Sequence, residues 1–487
     1  MGFLLTLQTP EKPDAPKLAA KALEVYQPTW KTWVYLPNTT EAGLNLEEAK
    51  ELLSQSDASA CVVGGLVSEA EGTPPIRIGK YWLAGLGRPS KLKNWRQLAS
   101  QLVQEASKPP TDFLASAGRK LQGNYLLALM VGEACWALRD PIGCEPLFYR
   151  ETPSVSGFST CRKALWKLGL KGLQRLKPGW LCQLQAGKLR VFQALPTPEP
   201  CNHLVSFEEA VERLVGKLLE AFRLRVEGLD GHVGVLFSGG LDSSLTAHLL
   251  ASLGLKVVLY VAGLEASRDL EAAEKAAEAL NLNLKVGIIG LEGFEEKIKQ
   301  AIYASERFTP TDIGIALPLH AAASLASREG VKILFAGQGF DELFGGYARY
   351  TNLLAKEGWG SLEEAMKADM LNLAEANLER DVLTALHAGV RLELPAAEPS
   401  LVGFALAVPT NFKVSGPCDG LRKRVLRAAA ERLGLPARLA WKPKKAVQYG
   451  SGTIKALKAE AGKHGLKVGE YLARLFEEVF KLRPHEA

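Results

Sequence analysis

The sequence has few of the features that mark several common classes of protein. Its 487 residues include seven cysteines, an odd number, and no two of them form a C-x-x-C pair. A zinc site or a disulfide framework is therefore not expected, and most of the cysteines should be buried thiols. No apolar run approaches the roughly 18 residues that a membrane span needs, and the first residues lack a basic leader, so we expect a cytoplasmic protein without membrane contact.

The chain also lacks a strong charge of either sign. Lys and Arg number 59 and Asp and Glu 53, which leaves a net charge of +6 spread over the whole length. This balance is compatible with an anionic small substrate, and it predicts no nucleic-acid partner. A tRNA base-modifying enzyme is disfavoured because the sequence has no basic tract and no cysteine pair.

A proline-rich stretch divides the chain into two regions that differ in their pattern of apolar and polar residues. Residues 195–203 hold three prolines in five positions and predict a linker near residue 200. Before it, short alternating runs between Gly and Pro are typical of antiparallel strands. After it, Ser206 and Glu209 form a capping-box pattern at the start of an amphipathic helix. We therefore predict a first domain over 1–200, a second over 204–455 and a helical tail over 456–487.

Four short aliphatic runs in the second region predict its fold. They cover residues 233–237, 256–263, 285–290 and 332–337, and each of the first three is followed by a segment of helical period. Alternating buried strands and helices indicate an α/β fold with a doubly wound parallel sheet. Ligands of such sheets bind beyond the carboxyl ends of the strands, so motifs at those ends should carry the function.

The sequence S-G-G-L-D-S-S at 238–244 joins the first of these strands to a helix. Glycines allow a tight turn with exposed N–H groups, serine hydroxyls add donors, and the helix N-terminus adds partial positive charge, so this segment predicts a phosphate cradle. It is neither a Walker A loop nor a G-x-G-x-x-G dinucleotide loop. An acid inside an anion cradle needs a cation, and Asp242 is therefore predicted to hold Mg²⁺ on the phosphates.

A second glycine-rich turn follows the strand at 332–337. In the sequence FAGQGFDELFGGYARY, at 335–350, Gly337 and Gly339 let the backbone approach a nucleotide closely. Asp341 then supplies a second carboxylate for Mg²⁺.

These motifs resemble the ATP-pyrophosphatase superfamily and, within it, the asparagine synthetase family of the glutamine-hydrolysing type. The resemblance covers about 1–455 and implies ATP and Mg²⁺ as cofactors. A closing motif, WKPKKAVQYGSG, resembles the segment from which a lysine enters the active site, and by position this residue is Lys444. Such an ammonium would stabilise the charge that grows as an acyl-adenylate breaks down. Lys442 is interpreted as a solvated residue. Lys423 and Arg427 match positions of the family, and simple pairing with carboxylates in the helical layer is left open as their role.

The resemblance also implies which residues contact the nucleotide. Asp242, Asp341 and Lys444 are the predicted catalytic residues, and the first two are the metal ligands. The predicted nucleotide-binding residues are Leu236, Phe237, Ser238, Gly239, Gly240, Asp242, Ser243, Ser244, Val261, Ala262, Gly263, Ala336, Gly337, Gln338 and Gly339.

The first 200 residues resemble the glutamine-hydrolysing sandwich of this family, which is like an N-terminal nucleophile hydrolase. The segments RDPIGCEPLFYRE and FSTCRKALWKLG carry the likeness. Position 2 is Gly2, however, where the family has its nucleophilic cysteine, and Cys61 is interpreted as a buried strand residue. We therefore expect an inactive glutaminase-like α+β sandwich.

The second region differs from the family's sequence pattern in three places. Gln338 stands where the family has Glu, segment 310–319 lacks the family's arginine, and Arg391 and Glu393 replace a Glu and Arg pair in swapped order. The swapped pair can still form a salt bridge.

Together, these patterns predict an ATP-dependent amide ligase that activates a small-molecule carboxylate, aspartate first, as its acyl-adenylate for attack by ammonia. An amine-specific or intramolecular ligase that resembles β-lactam synthetase stays open, as does a non-catalytic scaffold protein. A homodimer is also left open.

Overall fold

The chain folds into two compact units. The structure, a computed structural model, describes residues 2–10, 14–26, 31–66, 72–90, 95–200, 206–229, 231–443 and 451–487. The first unit consists of Met1–Thr197 with Phe476–Ala487, and the second of Pro198–Leu475. The division lies in the proline-rich linker. The tail predicted over 456–487 does not form a unit of its own, because its last residues belong to the first unit.

The first unit contains two antiparallel sheets. Its strands are β1 (Gly2–Gln8), β2 (Lys31–Leu36), β3 (Thr39–Leu44), β4 (Ala60–Leu66), β5 (Gly72–Ile78), β6 (Tyr81–Ser90), β7 (Gln122–Val131), β8 (Ala134–Arg139), β9 (Phe148–Glu151), β10 (Ser156–Ser159), β11 (Gln174–Arg175), β12 (Trp180–Gln185) and β13 (Lys188–Gln193). One sheet has the order β11-β9-β10-β1-β4-β2-β3, and the other β13-β12-β8-β7-β6-β5.

Both faces of the second of these sheets are covered. The helices of the unit are α1 (Ala15–Ala22), α2 (Leu46–Ser54), α3 (Trp95–Leu102), α4 (Pro110–Lys120) and α5 (Arg162–Lys167). Along β7, Leu127 and Leu129 pack with side chains of α3 and α4, while Leu126 and Met130 join the core between the sheets. Successive side chains of a strand point to opposite faces, which explains why this strand is apolar from Tyr125 to Val131. With α1, α2 and α5 on the other sheet, the unit is the predicted α+β sandwich.

The last residues of the chain complete the core of this unit. Trp166 at the end of α5 is 7% exposed. The rings of Phe476 and Phe480 lie edge-on to its indole, with centroids 5.6 and 4.9 Å away. The aromatic cluster therefore joins residues about 310 positions apart in the chain.

The second unit contains a parallel sheet. Its strands are β14 (His232–Leu236), β15 (Lys256–Gly263), β16 (Asn283–Ile288), β17 (Ile333–Phe335) and β18 (Arg391–Glu393). Their order is β16-β15-β14-β17-β18, and every neighbouring pair is parallel. The four aliphatic runs thus form β14 to β17, and the predicted α/β fold is confirmed. The fifth strand, β18, has no aliphatic run and was not predicted.

Helices connect and flank these strands. They are α6 (Phe207–Val226), α7 (Leu241–Ser252), α8 (Arg268–Leu280), α9 (Phe294–Ser305), α10 (Pro310–Arg328), α11 (Phe340–Phe344), α12 (Ala348–Leu371), α13 (Glu379–His387), α14 (Pro399–Ala407), α15 (Thr410–Lys413), α16 (Arg424–Arg432), α17 (Ala437–Ala440), α18 (Thr453–Lys463) and α19 (Val468–Phe480). As predicted, Ser206 caps α6: its hydroxyl accepts a hydrogen bond from the Glu209 N–H at 3.1 Å.

The swapped pair of β18 forms a buried salt bridge. Arg391 donates to Glu393 Oε1 at 2.5 Å, and Arg225 of α6 donates to Glu393 Oε2 at 3.3 Å and to Glu398 at 3.2 Å. All four side chains are at most 2% exposed. Buried charges require partners of this kind, which explains how so polar a strand lies inside the unit.

The cysteines are mostly buried, as predicted. No disulfide joins any of the six that the structure describes; five of these are buried and Cys418 is exposed. Cys61 lies in β4 opposite Leu7 of β1, and burial raises the pKa of its thiol far above the ordinary value. Within the described ranges, no helix is both long enough and apolar enough to cross a membrane.

Candidate active site

The predicted phosphate cradle is a tight turn between β14 and α7. Gly239 has a φ of +66°, and a Cβ at this position would lie 2.2 Å from the carbonyl oxygen of Ala272. Ser243 closes the turn: its hydroxyl accepts from the Ser238 N–H at 3.3 Å and donates to the Gly240 carbonyl at 3.2 Å. The first turn of α7 therefore faces the cavity with its N–H groups, an arrangement that favours bound anions.

The second glycine-rich turn packs directly against the first. It connects β17 to α11, and a Cβ on Gly337 would lie 2.7 Å from the backbone carbon of Asp242. Gly339, with a φ of +103°, begins α11 in a conformation that side chains rarely adopt. The two carboxylates that follow these turns are therefore brought to one place.

Asp242 and Asp341 share one ammonium group. Lys423 Nζ lies 2.6 Å from both carboxylate oxygens of Asp242 and 2.5 Å from Asp341 Oδ1. Burial acts to lower the pKa of Lys423, which is 1% exposed, but the two carboxylates outweigh it and raise that pKa above its ordinary value. Lys423 is thus a fixed cation, and it was not predicted as part of the site.

Position 346, next to the contact between Asp341 and Lys423, requires glycine. A Cβ on Gly346 would lie 1.7 Å from Asp341 Oδ1 and 2.2 Å from Lys423 Cε. Any side chain there would have to displace one of the two charged groups.

The turn that presents Lys423 is strained. Arg422 and Lys423 have φ values of 52° and 54°, in the left-handed region. Asp419 holds the turn from the other side: its carboxylate accepts from the N–H groups of Ser415 at 2.8 Å, Leu421 at 3.0 Å and Arg422 at 2.9 Å.

Arg427, one helical turn after Lys423, binds four backbone carbonyls. It donates to Arg422 O at 2.7 Å and Leu421 O at 2.6 Å, and also to Ala440 O at 2.6 Å and Lys442 O at 2.9 Å. Its hydrogen bonds are thus with the main chain, and the charges of Asp242 and Asp419 also act on it.

Lys442 takes part in the site, and its interpretation as a solvated residue was wrong. Its ammonium donates to the Gly239 carbonyl at 3.1 Å, and the residue lines the cavity. Asp269 lines the same wall. Burial raises the pKa of Asp269 to about 7, although the nearby Lys442 charge acts to lower it.

The far end of the cavity holds a charged cluster. Arg380, 2% exposed, donates to Asp381 at 2.7 Å and to Asp312 at 3.4 Å. Burial raises the pKa of Asp381, and the charge of Arg380 opposes that shift. The charge of Arg307 also acts to lower the pKa of Asp381, so Arg380 and Arg307 both oppose the effect of burial.

Two neutral side chains bind Glu342, the neighbour of Asp341 in α11. The Tyr347 hydroxyl and the Asn377 amide both donate to Glu342 Oε1 at 2.5 Å. Burial and the charge of Asp341 raise the pKa of Glu342.

All these elements border one cavity of about 850 Å³, which suits a nucleotide together with a small acid. Most of the predicted nucleotide-binding and metal residues line it: Leu236, Phe237, Ser238, Gly239, Gly240, Asp242, Ser243, Val261, Ala262, Ala336, Gly337, Gln338 and Asp341.

Three predicted residues have other surroundings. Ser244 is fully buried in α7. A Cβ on Gly263 would face the Ser267 hydroxyl at 2.6 Å, and one on Gly339 would face Ala396 at 3.1 Å. These residues shape the turns and are not among those that border the cavity. Lys444 lies outside the described residues.

In the first unit, aromatic rings fill the space beside the start of β1. The ring of Phe3 stacks on Tyr26 with centroids 3.7 Å apart, and it occupies the place that a Cβ on Gly65 would take. Gly2 begins the strand where the family resemblance requires a nucleophilic thiol.

Comparisons with known proteins agree with this geometry. The asparagine synthase family model matches residues 214–358 and 354–465. A protein of Methanocaldococcus jannaschii, named as an asparagine synthetase of the glutamine-hydrolysing type, is 35% identical over 411 residues, 74% of this chain and 75% of that protein. The glutamine-hydrolysing asparagine synthetase of Gallus gallus is 24% identical over 435 residues, 80% of this chain and 76% of its own.

Similarity to solved structures is lower. The glutamine phosphoribosylpyrophosphate amidotransferase of B. subtilis, complexed with ADP and GMP, matches 59% of this chain and 66% of its own, at 15% identity and a TM-score of 0.31. The family model and the M. jannaschii relative therefore carry the assignment. The chain belongs to the asparagine synthase family, and it is an enzyme, an ATP-dependent amide ligase of the asparagine synthetase type.

Proposed function

We propose that the enzyme activates a carboxylate, with aspartate the first candidate, as an acyl-adenylate that ammonia converts to the amide. A carboxylate oxygen bonds to the α-phosphorus of ATP as the bond to the bridging oxygen breaks, and pyrophosphate leaves. The nitrogen of ammonia then bonds to the acyl carbon, the bond from that carbon to the AMP oxygen breaks, and one proton passes to solvent.

The convergence of Asp242 and Asp341 on Lys423 is the observation that carries the proposal. It puts two carboxylates and a fixed cation beside the phosphate cradle at one end of a cavity that continues to a polar acceptor end. Such an arrangement leaves the α-phosphate open to attack while the pyrophosphate is held.

Two of the residues present suit Mg²⁺. Asp242 and Asp341 supply converging oxygen ligands of the kind that this ion prefers, and both are paired with Lys423. The close packing of the two turns at Gly337 keeps these two residues near each other. When bound, the metal would neutralise negative charge on the phosphates. Ser238 to Ser243, together with Gly337 and Asp341, would hold the phosphates, and Val261 and Ala262 the base or ribose.

Three lysines take two different parts in this scheme. Lys423 and Lys442 compensate charge on the departing pyrophosphate, since one contacts both carboxylates and the other the cradle backbone. Lys444, by its resemblance to the family's closing motif, supports breakdown of the adenylate.

An acceptor that bears an amine is a second candidate. Asp381 lines the cavity beside Arg380, and its carboxylate would pair with a cationic group of the acceptor. This charge suits the amino group of aspartate, and equally an amine-specific or intramolecular ligase of the β-lactam synthetase kind.

The direct test is ATP–pyrophosphate exchange over a panel of carboxylic acids, followed by product analysis with ammonium. Exchange that depends on aspartate, with AMP and pyrophosphate as products, is expected. ADP and phosphate as products would exclude the adenylate mechanism. Exchange with another acid would replace aspartate but leave the mechanism in place.

A further inference from the structure

Two lysines reach the phosphate cradle from separate segments of the chain. Lys423 ends the turn before α16, and Lys442 follows α17. Their ammonium groups contact opposite parts of the cradle, Asp242 on one side and Gly239 O on the other. For both charges to act on one pyrophosphate, the two segments must be held at a fixed spacing.

One guanidinium joins these segments. Arg427 contacts the carbonyls of Leu421 and Arg422 in the first segment and those of Ala440 and Lys442 in the second, all at 2.9 Å or less. The side chain is 1% exposed, so little competing water reaches these bonds.

We propose that Arg427 is a positioning residue that sets the places of Lys423 and Lys442 relative to the cradle. The inference rests on the proposed function, because it assumes that both lysines act on the pyrophosphate. It assigns a role to a side chain whose own contacts are with the backbone.

The geometry explains why the residue is an arginine. A guanidinium has five N–H donors fixed in one plane, and Arg427 uses three nitrogens to reach two segments at once. A lysine has three donors on a single nitrogen and cannot span both segments. Two of the carbonyls it holds flank the strained turn at Arg422 and Lys423, which would otherwise relax.

The test compares Arg427→Lys and Arg427→Ala with the wild type by ATP–pyrophosphate exchange. We expect the exchange rate at saturating ATP to fall about 10²-fold, with a smaller change in KM for ATP, because charge on pyrophosphate grows in the transition state. Millimolar guanidinium, far below denaturing concentrations, should restore part of the rate of Arg427→Ala and none of that of Arg427→Lys, whose side chain fills the space.

Arg225→Lys is the matched control. Arg225 is 2% exposed in the same unit and binds Glu393 and Glu398 of the helical layer. Its substitution should lower the free energy of unfolding and leave the exchange rate per folded molecule unchanged. The inference would be overturned if Arg427→Lys and Arg225→Lys lost exchange equally, or if Arg427→Lys kept the wild-type exchange rate.

If the wild type catalyses no exchange with any acid, the proposed function fails, and calorimetric ATP binding then tests the inference. Arg427→Ala should bind ATP more weakly, with recovery in guanidinium. Unchanged affinity would refute the positioning role.

Discussion

Lys423 and Asp242 are 181 positions apart in the chain and 2.6 Å apart in the structure. With Asp341 they form a group of two partly exposed carboxylates and one buried cation. This group can bind a divalent cation only if the Lys423 ammonium shares the carboxylate oxygens with the metal or moves away from them.

Replacing Lys423 by Met should therefore have two effects. Pyrophosphate exchange should fall by several orders of magnitude, because a cation beside the phosphates is lost. Without this ammonium the carboxylates of Asp242 and Asp341 should also repel each other more strongly, so Mg²⁺ should raise the melting temperature of the variant more than that of the wild type. Lys423→Arg, which keeps the charge, is the control. An equal Mg²⁺ shift in all three proteins would argue against a metal site here.

Gly346→Ala should disrupt the same group without changing a charge. The new methyl would clash with Asp341 and Lys423, and we expect exchange to fall at least about 10²-fold. Gly216→Ala is the control, because no atom lies within 4 Å of a Cβ at this position of α6. That variant should gain about 0.5–1 kcal/mol in free energy of unfolding and keep full activity. Normal exchange by Gly346→Ala would mean that Asp341 and Lys423 need not touch.

Lys444→Ala should affect amide formation more than ATP binding. Its charge is expected to matter most as the adenylate breaks down, so ATP affinity should be nearly unchanged while product formation falls by several orders of magnitude. Single-turnover assays with ammonium would measure this. Normal turnover would show that the closing motif has been aligned on the wrong lysine.

Glutamine should not serve as nitrogen donor. Gly2 has no thiol, and the thiol of Cys61 is buried with a raised pKa, so neither forms a thioester. Product formation with ammonium should rise with pH as free ammonia increases, while glutamine gives none. Release of glutamate at the rate of product formation would overturn this, and Cys61→Ser would then identify the nucleophile.

The buried Lys413 should make stability depend on pH. Burial lowers the pKa of Lys413 from 10.5 to about 7, and the charge of Glu363 opposes the shift. Below pH 7 Lys413 is protonated in both the folded and the unfolded protein, and burial of its charge destabilises the folded state in full. Between pH 7 and 10 the unfolded state holds more protons, so the free energy of unfolding rises with pH by about 1 kcal/mol per unit.

Lys413→Met should thus be more stable than the wild type at pH 6. The gain should shrink toward pH 10, where the neutral amine still donates to Ala405 O. Urea unfolding across this range measures the difference, with the exposed Lys17→Met as control. A difference that stays constant with pH would show that Lys413 titrates normally.

The sequence predicted those parts of the site whose chemistry is local. The turn at 238–244 and the turn before Asp341 each contain their own glycines, donors and acid within a few residues of a strand end. Parallel strands then bring both turns to one edge of the sheet, so the approach of Asp242 and Asp341 follows from the fold.

The cations were harder to predict. Lys423 lies before a helix in a basic segment, and Lys442 lies among other lysines, so both resemble ordinary surface residues. Their partners are a distant carboxylate pair and a backbone carbonyl, and neither kind of contact leaves a periodic or motif signal. Two consecutive left-handed residues at 422 and 423, which are not glycines, also have no sequence signature. The same holds for β18, in which the buried Glu393 pairs with both Arg391 and Arg225.

The packing of Phe476 and Phe480 on Trp166 has a consequence for how the chain is made. The N-terminal 197 residues emerge from the ribosome long before position 476 is translated. The first unit is therefore exposed at first without residues 476–487. Until Phe476 and Phe480 are synthesised, the indole of Trp166 lacks the two rings that cover it. Completion of this unit therefore waits until the second unit has been translated, and a nascent chain stalled anywhere in the second unit presents an unfinished apolar surface to chaperones.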